Sequence, residues 1–361
     1  MFFYLSQFRF EFFPFNIFRY ITFRAGMAAV TTFLLCVVVG PWFIRLLKRK
    51  SFGEKAERPD VPQLKEFHQT KSGTPTMGGI LIVGSILSAV ALWADLSNPY
   101  ILLTALTMLW LAVVGFIDDY VKIAGINPKG MSPRSKLLWQ VLLAAIVGFY
   151  LYFQMNVSTQ LDLPFFKKAA IDLGVFYMFF VMLVVVGTSN AVNLTDGMDG
   201  LAIGCTLLVA LTLGILCYIT GHANFSQYLL IPFIPGTGEL TIFCAAMVGA
   251  SLGFLWFNAH PATVFMGDVG ALALGGTLGV IAVFIKKELL LGILGGVFVW
   301  EALSVILQVA SFKLTGRRIF LIAPYHHHLQ KLGWKESKII IRFWIVGIIL
   351  ALFTLTTLKM R

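Results

Sequence analysis

Two adjacent carboxylates, Asp118 and Asp119, end an apolar run in "LAVVGFIDDYVKI" (111–123). Two like charges in contact repel each other, and each costs more free energy as water becomes scarcer. The alternative is a pair of solvated acids at a helix end. That placement is slightly unfavourable, because acids at a helix C-terminus oppose the helix dipole. The pair therefore indicates either a bound divalent cation or a role beside a phosphate group.

A second pair of acids, Asp196 and Asp199, lies in "NLTDGMDG" (193–200), where a glycine follows each acid. Such a loop lets backbone amides approach a ligand while the carboxylates bind a metal ion or hydroxyl groups. Capping of the next helix is the alternative, but a cap needs only one acid and leaves Asn190 and Asn193 unexplained. The loop is too short for an EF-hand and lacks the glutamate at its twelfth position.

A third acid, Asp268, lies in "FMGDVGALALGG" (265–276), in the first turns of an apolar segment. A carboxylate is favoured near a helix N-terminus, so helix capping is one interpretation. The flanking glycines leave room for a phosphate group beside Asp268, which is the other interpretation. Phe265 could stack on a base, although a phenylalanine at a membrane interface more often faces lipid.

Three consecutive histidines, His326 to His328, follow a Pro-Tyr pair in "PYHHHLQKLGW" (324–334). They cannot all reach one zinc ion from a regular element, so they are interpreted as cationic or hydrogen-bonding groups for phosphate. Glu301 lies in the middle of an apolar run, "GVFVWEALSV" (296–305). An acid within a membrane span is a functional candidate, but a buried structural partner is equally consistent, and the role of Glu301 stays open.

The amino-acid composition indicates an integral membrane protein. Of 361 residues, 58% are hydrophobic and 12% are charged, and the mean hydropathy is +0.85. Soluble domains carry about 25% charged residues. The net charge of +11 is attributed to topology and to attraction for anionic lipid or substrate, and no nucleic-acid partner is expected. The four cysteines lie in apolar runs and predict free buried thiols.

The predicted fold is an all-α integral membrane protein. A helix needs about 20 apolar residues to cross a bilayer. Residues 1–24 predict an aromatic interfacial segment, and residues 25–361 predict a single membrane domain with a bundle of ten transmembrane helices. The predicted spans are 25–47, 76–94, 99–117, 135–153, 171–189, 200–220, 240–257, 263–284, 288–311 and 339–358.

The charge of the loops predicts the orientation. The loops on one side of the predicted bundle carry 18 Lys and Arg residues, and those on the other side carry 4. The positive-inside rule makes the richer side cytoplasmic and places both termini outside. The polar motifs, including "HQTKSGTPTMGG" (68–79) with Lys71, all lie on that cytoplasmic side. The sequence therefore predicts an active site at the cytoplasmic face.

Acids that could hold Mg²⁺, together with lysines, histidines and glycine-rich turns, are typical of phosphoryl transfer. No GxxxxGK[ST] motif is present, which excludes a P-loop ATPase. A transporter or channel is a rival interpretation. It would predict polar residues near the span centres, where only Glu301 fits. A scaffold of an envelope complex is another rival.

Four motifs together resemble signatures of the polyprenyl-phosphate N-acetylhexosamine-1-phosphate transferase family: "FIDDYVK", "NAVNLTDGMDGLA", "NAHPATVFMGD" and "PYHHHLQKLGW". The histidine loop favours the phospho-N-acetylmuramoyl-pentapeptide branch over the N-acetylglucosamine branch. The resemblance implies a Mg²⁺-dependent enzyme of the bacterial cytoplasmic membrane that acts in peptidoglycan synthesis. Undecaprenyl phosphate would attack UDP-N-acetylmuramoyl-pentapeptide and release UMP. A homodimer and envelope-synthesis proteins are candidate partners.

The resemblance also implies residue roles. Asp268 would bind Mg²⁺, Asp118 would orient or deprotonate the lipid phosphate, and Asp119 would support the metal or the geometry. His327 and His328 would contact the pyrophosphate or the sugar. Direct attack by the lipid phosphate and a covalent phospho-enzyme both stay open. The substrate-binding candidates are Lys71, Lys122, Lys136, Asn190, Asn193, Asp196, Asp199, Asn258, Phe265 and His326.

Overall fold

The computed structural model describes residues 1–49, 73–155, 157–163 and 170–359. The regular structure of this part of the chain is helical, with one short antiparallel ribbon, β1 (Gln160–Asp162) with β2 (Ala170–Asp172). The helices are α1 (Phe2–Leu5), α2 (Ile21–Arg49), α3 (Gly79–Trp93), α4 (Pro99–Ile123), α5 (Pro133–Phe153), α6 (Phe176–Thr195), α7 (Leu201–Thr220), α8 (Ala223–Leu229), α9 (Leu240–Asn258), α10 (Gly267–Phe284), α11 (Glu288–Leu294), α12 (Gly296–Thr315), α13 (Tyr325–Lys331) and α14 (Glu336–Thr356). Short 3-10 turns lie at Ser6–Phe10, Phe13–Arg19 and Thr237–Glu239.

Membrane-spanning helices dominate the described part of the chain. Nine of its helices are long and apolar enough to cross a bilayer, and each overlaps a predicted span. The remaining predicted span, 76–94, corresponds to α3, which is apolar but has only 15 residues. Large apolar side chains are exposed along these helices, as expected for surfaces that contact lipid. The all-α membrane fold is therefore confirmed, whereas the count of ten spans is not.

Helix α10 forms the centre of the bundle. It is buried along almost its whole length and packs chiefly against α4 and α6. Gly275 and Gly279 face α6, where a methyl group at Gly275 would collide with the Thr188 carbonyl and one at Gly279 with the Thr188 hydroxyl. Small residues at such positions let helix backbones approach closely. The glycine-rich sequence of this helix therefore permits its close packing against α6.

Several boundaries differ from the predicted ones. Helix α4 continues to Ile123, so Asp118 and Asp119 lie within its last two turns instead of after its end. Lys122 pairs with Asp118 across one helical turn, and such a pair stabilises the helix beyond the apolar run. Helix α6 continues to Thr195. The two asparagines of the second motif are therefore helical and do not belong to a loop.

Two features of the fold were not predicted. The predicted span 288–311 is divided into α11 and α12, with Gly295 between them. The ribbon β1–β2 has strands of only three residues, too short to show a sequence period. Lys287 holds this ribbon through an ion pair of 3.0 Å with Asp162. Both features lie at the end of the bundle opposite the clustered aspartates.

Candidate active site

Three carboxylates meet where α4 approaches the start of α10. Asp118 and Asp119 come from α4, and Asp268 comes from α10. One oxygen of each acid lies within 4.8 Å of an oxygen of the others. Gly115 makes this approach possible, because a side chain there would collide with the main-chain carbonyl of Asp268. Gly267 has a φ of +74° and packs against the Asp119 carboxylate, so this position also requires glycine.

Two lysines lie among these acids. The Lys122 ammonium group is 2.6 Å from Asp118 and 3.1 Å from Asp268. Lys136, at the start of α5, is 2.7 Å from Asp268 and 3.7 Å from Asp118. We call these four residues, together with Asp119, the carboxylate cluster. Its three carboxylates outnumber its two ammonium groups, and carboxylate oxygens suit hard divalent cations. The carboxylate cluster could therefore hold a metal ion.

Main-chain and amide groups fix the orientation of the acids. The Met131 N–H donates to Asp118 Oδ1 over 2.7 Å, from the loop between α4 and α5. The Val269 N–H lies 3.4 Å from Asp119 Oδ2. Asn193 of α6 donates its side-chain amide to Asp268 Oδ1 over 2.7 Å. The structure thus brings Asn193, Lys122 and Lys136 to the predicted acids. The contribution of the Met131 main chain was missed, because main-chain donors leave no sequence signal.

A second group consists of Asp199, His260 and Glu336, whose ligand atoms also lie within 4.8 Å of one another. His260 Nδ1 is 3.0 Å from Asp199 Oδ2, and the Asp199 N–H donates to Glu336 over 3.0 Å. Sequence reasoning found Asp199 but missed its two neighbours. His260 is part of "NAHPATVFMGD" and could have been singled out, whereas nothing in the sequence marks Glu336. Four of the candidate aspartates are therefore divided between two groups, with Asp118, Asp119 and Asp268 in one and Asp199 in the other.

Asn258 joins two loops near this group. Its side-chain oxygen accepts a hydrogen bond from the Gly200 N–H at 3.0 Å, and its side-chain nitrogen donates to the Val264 carbonyl at 2.8 Å. Phe265 is half-buried, and its main-chain N–H donates to the Pro75 carbonyl at 2.8 Å. The main chain around Phe265 is thereby tied to the segment that precedes α3.

The three histidines lie in the short helix α13 and point to different partners. His326 contacts Glu301, with Nδ1 3.1 Å from the carboxylate. His327 Nδ1 lies 2.8 Å from the Gln330 side-chain oxygen. His328 Nδ1 accepts a hydrogen bond from the Leu321 N–H at 3.2 Å, which turns this ring toward the preceding loop. The three rings therefore have three different hydrogen-bond partners.

One short segment, 193–199, touches all three groups. Asn193 binds Asp268 of the carboxylate cluster. Gly197 lies against the rings of His326 and His327. Asp199 binds His260, as described above. Seven consecutive residues therefore connect the carboxylate cluster, the histidine helix and the Asp199 group at one end of the bundle. We call residues 193–199 the connecting segment.

Three predicted site residues remain: Asn190, Asp196 and Lys71. The Asn190 side-chain amide donates to Gln140 and to the Val186 carbonyl, each at 2.8 Å, between α5 and α6. Asp196 follows the last residue of α6 and is half-buried. Lys71 lies outside the described residues.

The fold and the candidate site together define a multi-pass membrane protein with grouped acidic and basic side chains at one end of its helix bundle. The family described as glycosyl transferase family 4 matches residues 101–286. The phospho-N-acetylmuramoyl-pentapeptide-transferase signature 1 matches residues 71–83. The chain is 56% identical over 347 residues to the phospho-N-acetylmuramoyl-pentapeptide-transferase of Citrifermentans bemidjiense, and the match covers 96% of each chain. It is 53% identical over 349 residues to the enzyme of that name from Thermodesulfovibrio yellowstonii, again over 96% of each. The chain belongs to the phospho-N-acetylmuramoyl-pentapeptide-transferase family.

Proposed function

We propose that this protein transfers phospho-N-acetylmuramoyl-pentapeptide from its UDP conjugate to undecaprenyl phosphate. The products are UMP and the first lipid-linked precursor of peptidoglycan. One observation carries the proposal: the carboxylate cluster lies at the helix ends of a membrane bundle whose relatives bear this transferase name. A lipid phosphate at the bilayer face and a water-soluble nucleotide can meet at such a position.

The lipid phosphate is the proposed nucleophile. A phosphate monoester has a second pKa of about 6 and is mostly dianionic at neutral pH, so it needs little help from a base. One of its oxygens would form a bond to the β-phosphorus of the nucleotide. The bond from that phosphorus to the UMP oxygen would break, and UMP would keep the electron pair. Asp118 already accepts from Met131 and Lys122, which favours an orienting role over general-base catalysis.

The lysines would offset the negative charge of this reaction. Lys122 and Lys136 already lie within 3.1 Å of Asp268, so they are in position to contact phosphate oxygens beside it. Positioning and charge neutralisation supply most of the catalysis in phosphoryl transfer. The Lys122 side chain is 37% exposed, the most accessible of the carboxylate cluster. An arriving diphosphate would meet this side chain first.

Mg²⁺ is the proposed cofactor, with Asp268 as its main ligand and Asp119 as support. The fit rests on three oxygen ligands within 4.8 Å and on the excess of one negative charge over the two lysines. The bound ion would supply charge neutralisation on the diphosphate. Asn193 and Lys136 would then hold Asp268 in a fixed orientation toward that ion.

The nucleotide is proposed to bind along the connecting segment. This placement assigns the uridine-diphosphate side to Lys71, Asn190, Asp196, Asp199, Asn258 and Phe265. His327 and His328 are assigned to the pyrophosphate or the sugar. The excess of Lys and Arg in the loops at this end supports a cytoplasmic active site in a bacterial inner membrane, with both termini external. A homodimer and envelope-synthesis partners stay predictions.

The test uses purified protein with undecaprenyl phosphate and Mg²⁺. UDP-N-acetylmuramoyl-pentapeptide and UDP-N-acetylglucosamine are supplied in separate reactions, and both UMP and lipid-linked product are measured. We expect turnover with the muramoyl substrate alone. Turnover with only the glucosamine substrate would keep the chemistry and reject the proposed substrate. No turnover with either substrate, in a folded sample, would reject the proposed function.

A further inference from the structure

Glu301 is an acid that the proposed reaction does not use, although it lies fully buried in the spanning helix α12. Two donors of one residue, His326, face its carboxylate. The His326 main-chain N–H lies 3.2 Å from Oε1, and the ring Nδ1 lies 3.1 Å from Oε2. A buried carboxylate is tolerated only when donors satisfy it. Glu301 and His326 therefore form a hydrogen-bonded pair that joins α12 to α13, the helix that carries the three histidines.

The carboxylate restrains both the backbone and the ring of His326. His326 is the second residue of α13, and amides in the first turn of a helix have no partner within that helix. Glu301 supplies the missing acceptor from a neighbouring helix. Because the same carboxylate also contacts Nδ1, the imidazole cannot rotate without losing a hydrogen bond. A carboxylate that orients a functional histidine in this way is a recurring arrangement in active sites.

The opposite edge of the His326 ring faces the connecting segment. Its Nε2 atom is buried and has no hydrogen-bond partner among the described residues. Gly197 lies directly against this atom, so that a methyl group at Gly197 would overlap it. The same methyl group would lie 3.2 Å from His327 Nε2. Two imidazole rings are thus held over the segment that carries Asp196 and Asp199.

We propose that Glu301 is a positioning residue that acts through His326. By fixing the ring and the start of α13, it sets the distance between the histidines and the connecting segment, and so shapes the nucleotide-binding side of the site. Glu301 itself touches no substrate. The inference rests on the proposed function only for the identity of the nucleotide, because the Glu301–His326–Gly197 contacts do not depend on it.

The first test compares Glu301→Ala and Glu301→Gln in the full-length protein. Alanine leaves two buried donors without an acceptor, whereas the glutamine oxygen still accepts one hydrogen bond. We expect Glu301→Ala to raise KM for the UDP substrate and lower kcat/KM about 10- to 100-fold, the range found when the hydrogen-bonding partner of a metal-bound histidine is removed. KM for the lipid should change by less than about twofold, and Glu301→Gln should restore much of the loss.

The matched control is Glu288→Gln, which removes a buried carboxylate at the external side, where Glu288 accepts a hydrogen bond from Tyr177. A purely structural effect lowers the amount of folded enzyme and leaves both KM values unchanged. We expect that result for Glu288→Gln. The same result for Glu301→Ala would overturn the inference.

Gly197→Ala supplies an independent probe, because its methyl group would displace the His326 ring directly. If Glu301 acts through that ring, the losses in Glu301→Ala and Gly197→Ala should not add in the double variant. Additive losses would overturn the inference. Binding of uridine diphosphate is measured in parallel by calorimetry. If the wild-type protein neither turns over the UDP substrate nor binds uridine diphosphate, the proposed function is rejected. If the wild type is active and Glu301→Ala has unaltered kinetics, only this inference is rejected.

Discussion

The Lys136 ammonium group lies 2.7 Å from the Asp268 carboxylate, although 132 positions separate the two residues in the chain. Asn193 binds the other Asp268 oxygen at 2.7 Å from a third helix. Both oxygens of this acid are therefore held by side chains of other helices. Its orientation is set by the packing of the bundle before a ligand arrives, as expected for a preorganised catalytic group.

Replacement of Lys136 tests this arrangement. Lys136→Ala removes one of two cations from a group of three carboxylates, so the excess negative charge should repel the diphosphate. We expect kcat to fall about 10²- to 10³-fold, the usual effect of removing one stabilising donor. Lys129→Ala is the control, because it removes an exposed positive charge from the same loop region. Equal effects of the two variants would mean that Lys136 contributes only to the general positive potential.

Gly115 tests the close approach of α4 to α10. In Gly115→Ala, the methyl group would meet the main chain of Asp268, which cannot rotate away. The helices should separate, and a displacement of about 1 Å costs about 10²-fold in rate. Gly187→Ala in α6 is the control, because open space surrounds that position. Turnover and thermal unfolding are measured for both variants. Wild-type turnover in Gly115→Ala would show that the approach is unnecessary.

The metal assignment is tested by direct binding. Mn²⁺ substitutes for Mg²⁺ at oxygen-rich sites and is detected by electron paramagnetic resonance. Asp268→Asn should weaken Mn²⁺ binding about tenfold or more, since it replaces an anionic ligand. Asp172→Asn, in the exposed ribbon β1–β2, should bind Mn²⁺ as the wild type does. Chelation should abolish turnover and added Mg²⁺ should restore it. Unchanged Mn²⁺ binding in Asp268→Asn would contradict the assignment.

The order of bond formation is tested by isotope exchange. If the lipid phosphate attacks directly, labelled UMP should not enter the UDP substrate when lipid is absent. The same exchange should proceed once the lipid is added, because the reaction can then run backwards. Exchange without lipid would require a covalent phospho-enzyme and would make one of the aspartates the nucleophile.

Some of this site could be predicted from the sequence for physical reasons. A charged side chain beside an apolar run costs free energy, so Asp118, Asp119 and Asp268 were identified as candidates from the sequence. Their carboxylates do lie together in the structure. Long apolar spans place the loops between them at two faces only, which assigned every motif to one end of the bundle. The excess of Lys and Arg at that end predicts that it is cytoplasmic.

Other features depend on which helices are neighbours, and the sequence carries no signal for that. The pairing of Lys136 with Asp268 joins α5 to α10, and the partner of Glu301 lies 25 positions away in a different helix. Glu336 reaches Asp199 from the start of α14. The boundary of α4 was wrong because an ion pair with Lys122 extends the helix beyond its apolar residues. Periodicity detects apolar residues but does not detect such pairs.

The central claim is that phosphoryl transfer takes place at the carboxylate cluster. The most direct measurement places a radioactive label on the β-phosphate of UDP-N-acetylmuramoyl-pentapeptide and follows it into undecaprenyl-linked product. The wild type should transfer one labelled phosphate for each UMP released. Asp118→Asn, Asp119→Asn and Asp268→Asn should each lower the rate about 10²-fold or more while remaining folded. Near-wild-type transfer in all three variants would contradict the claim.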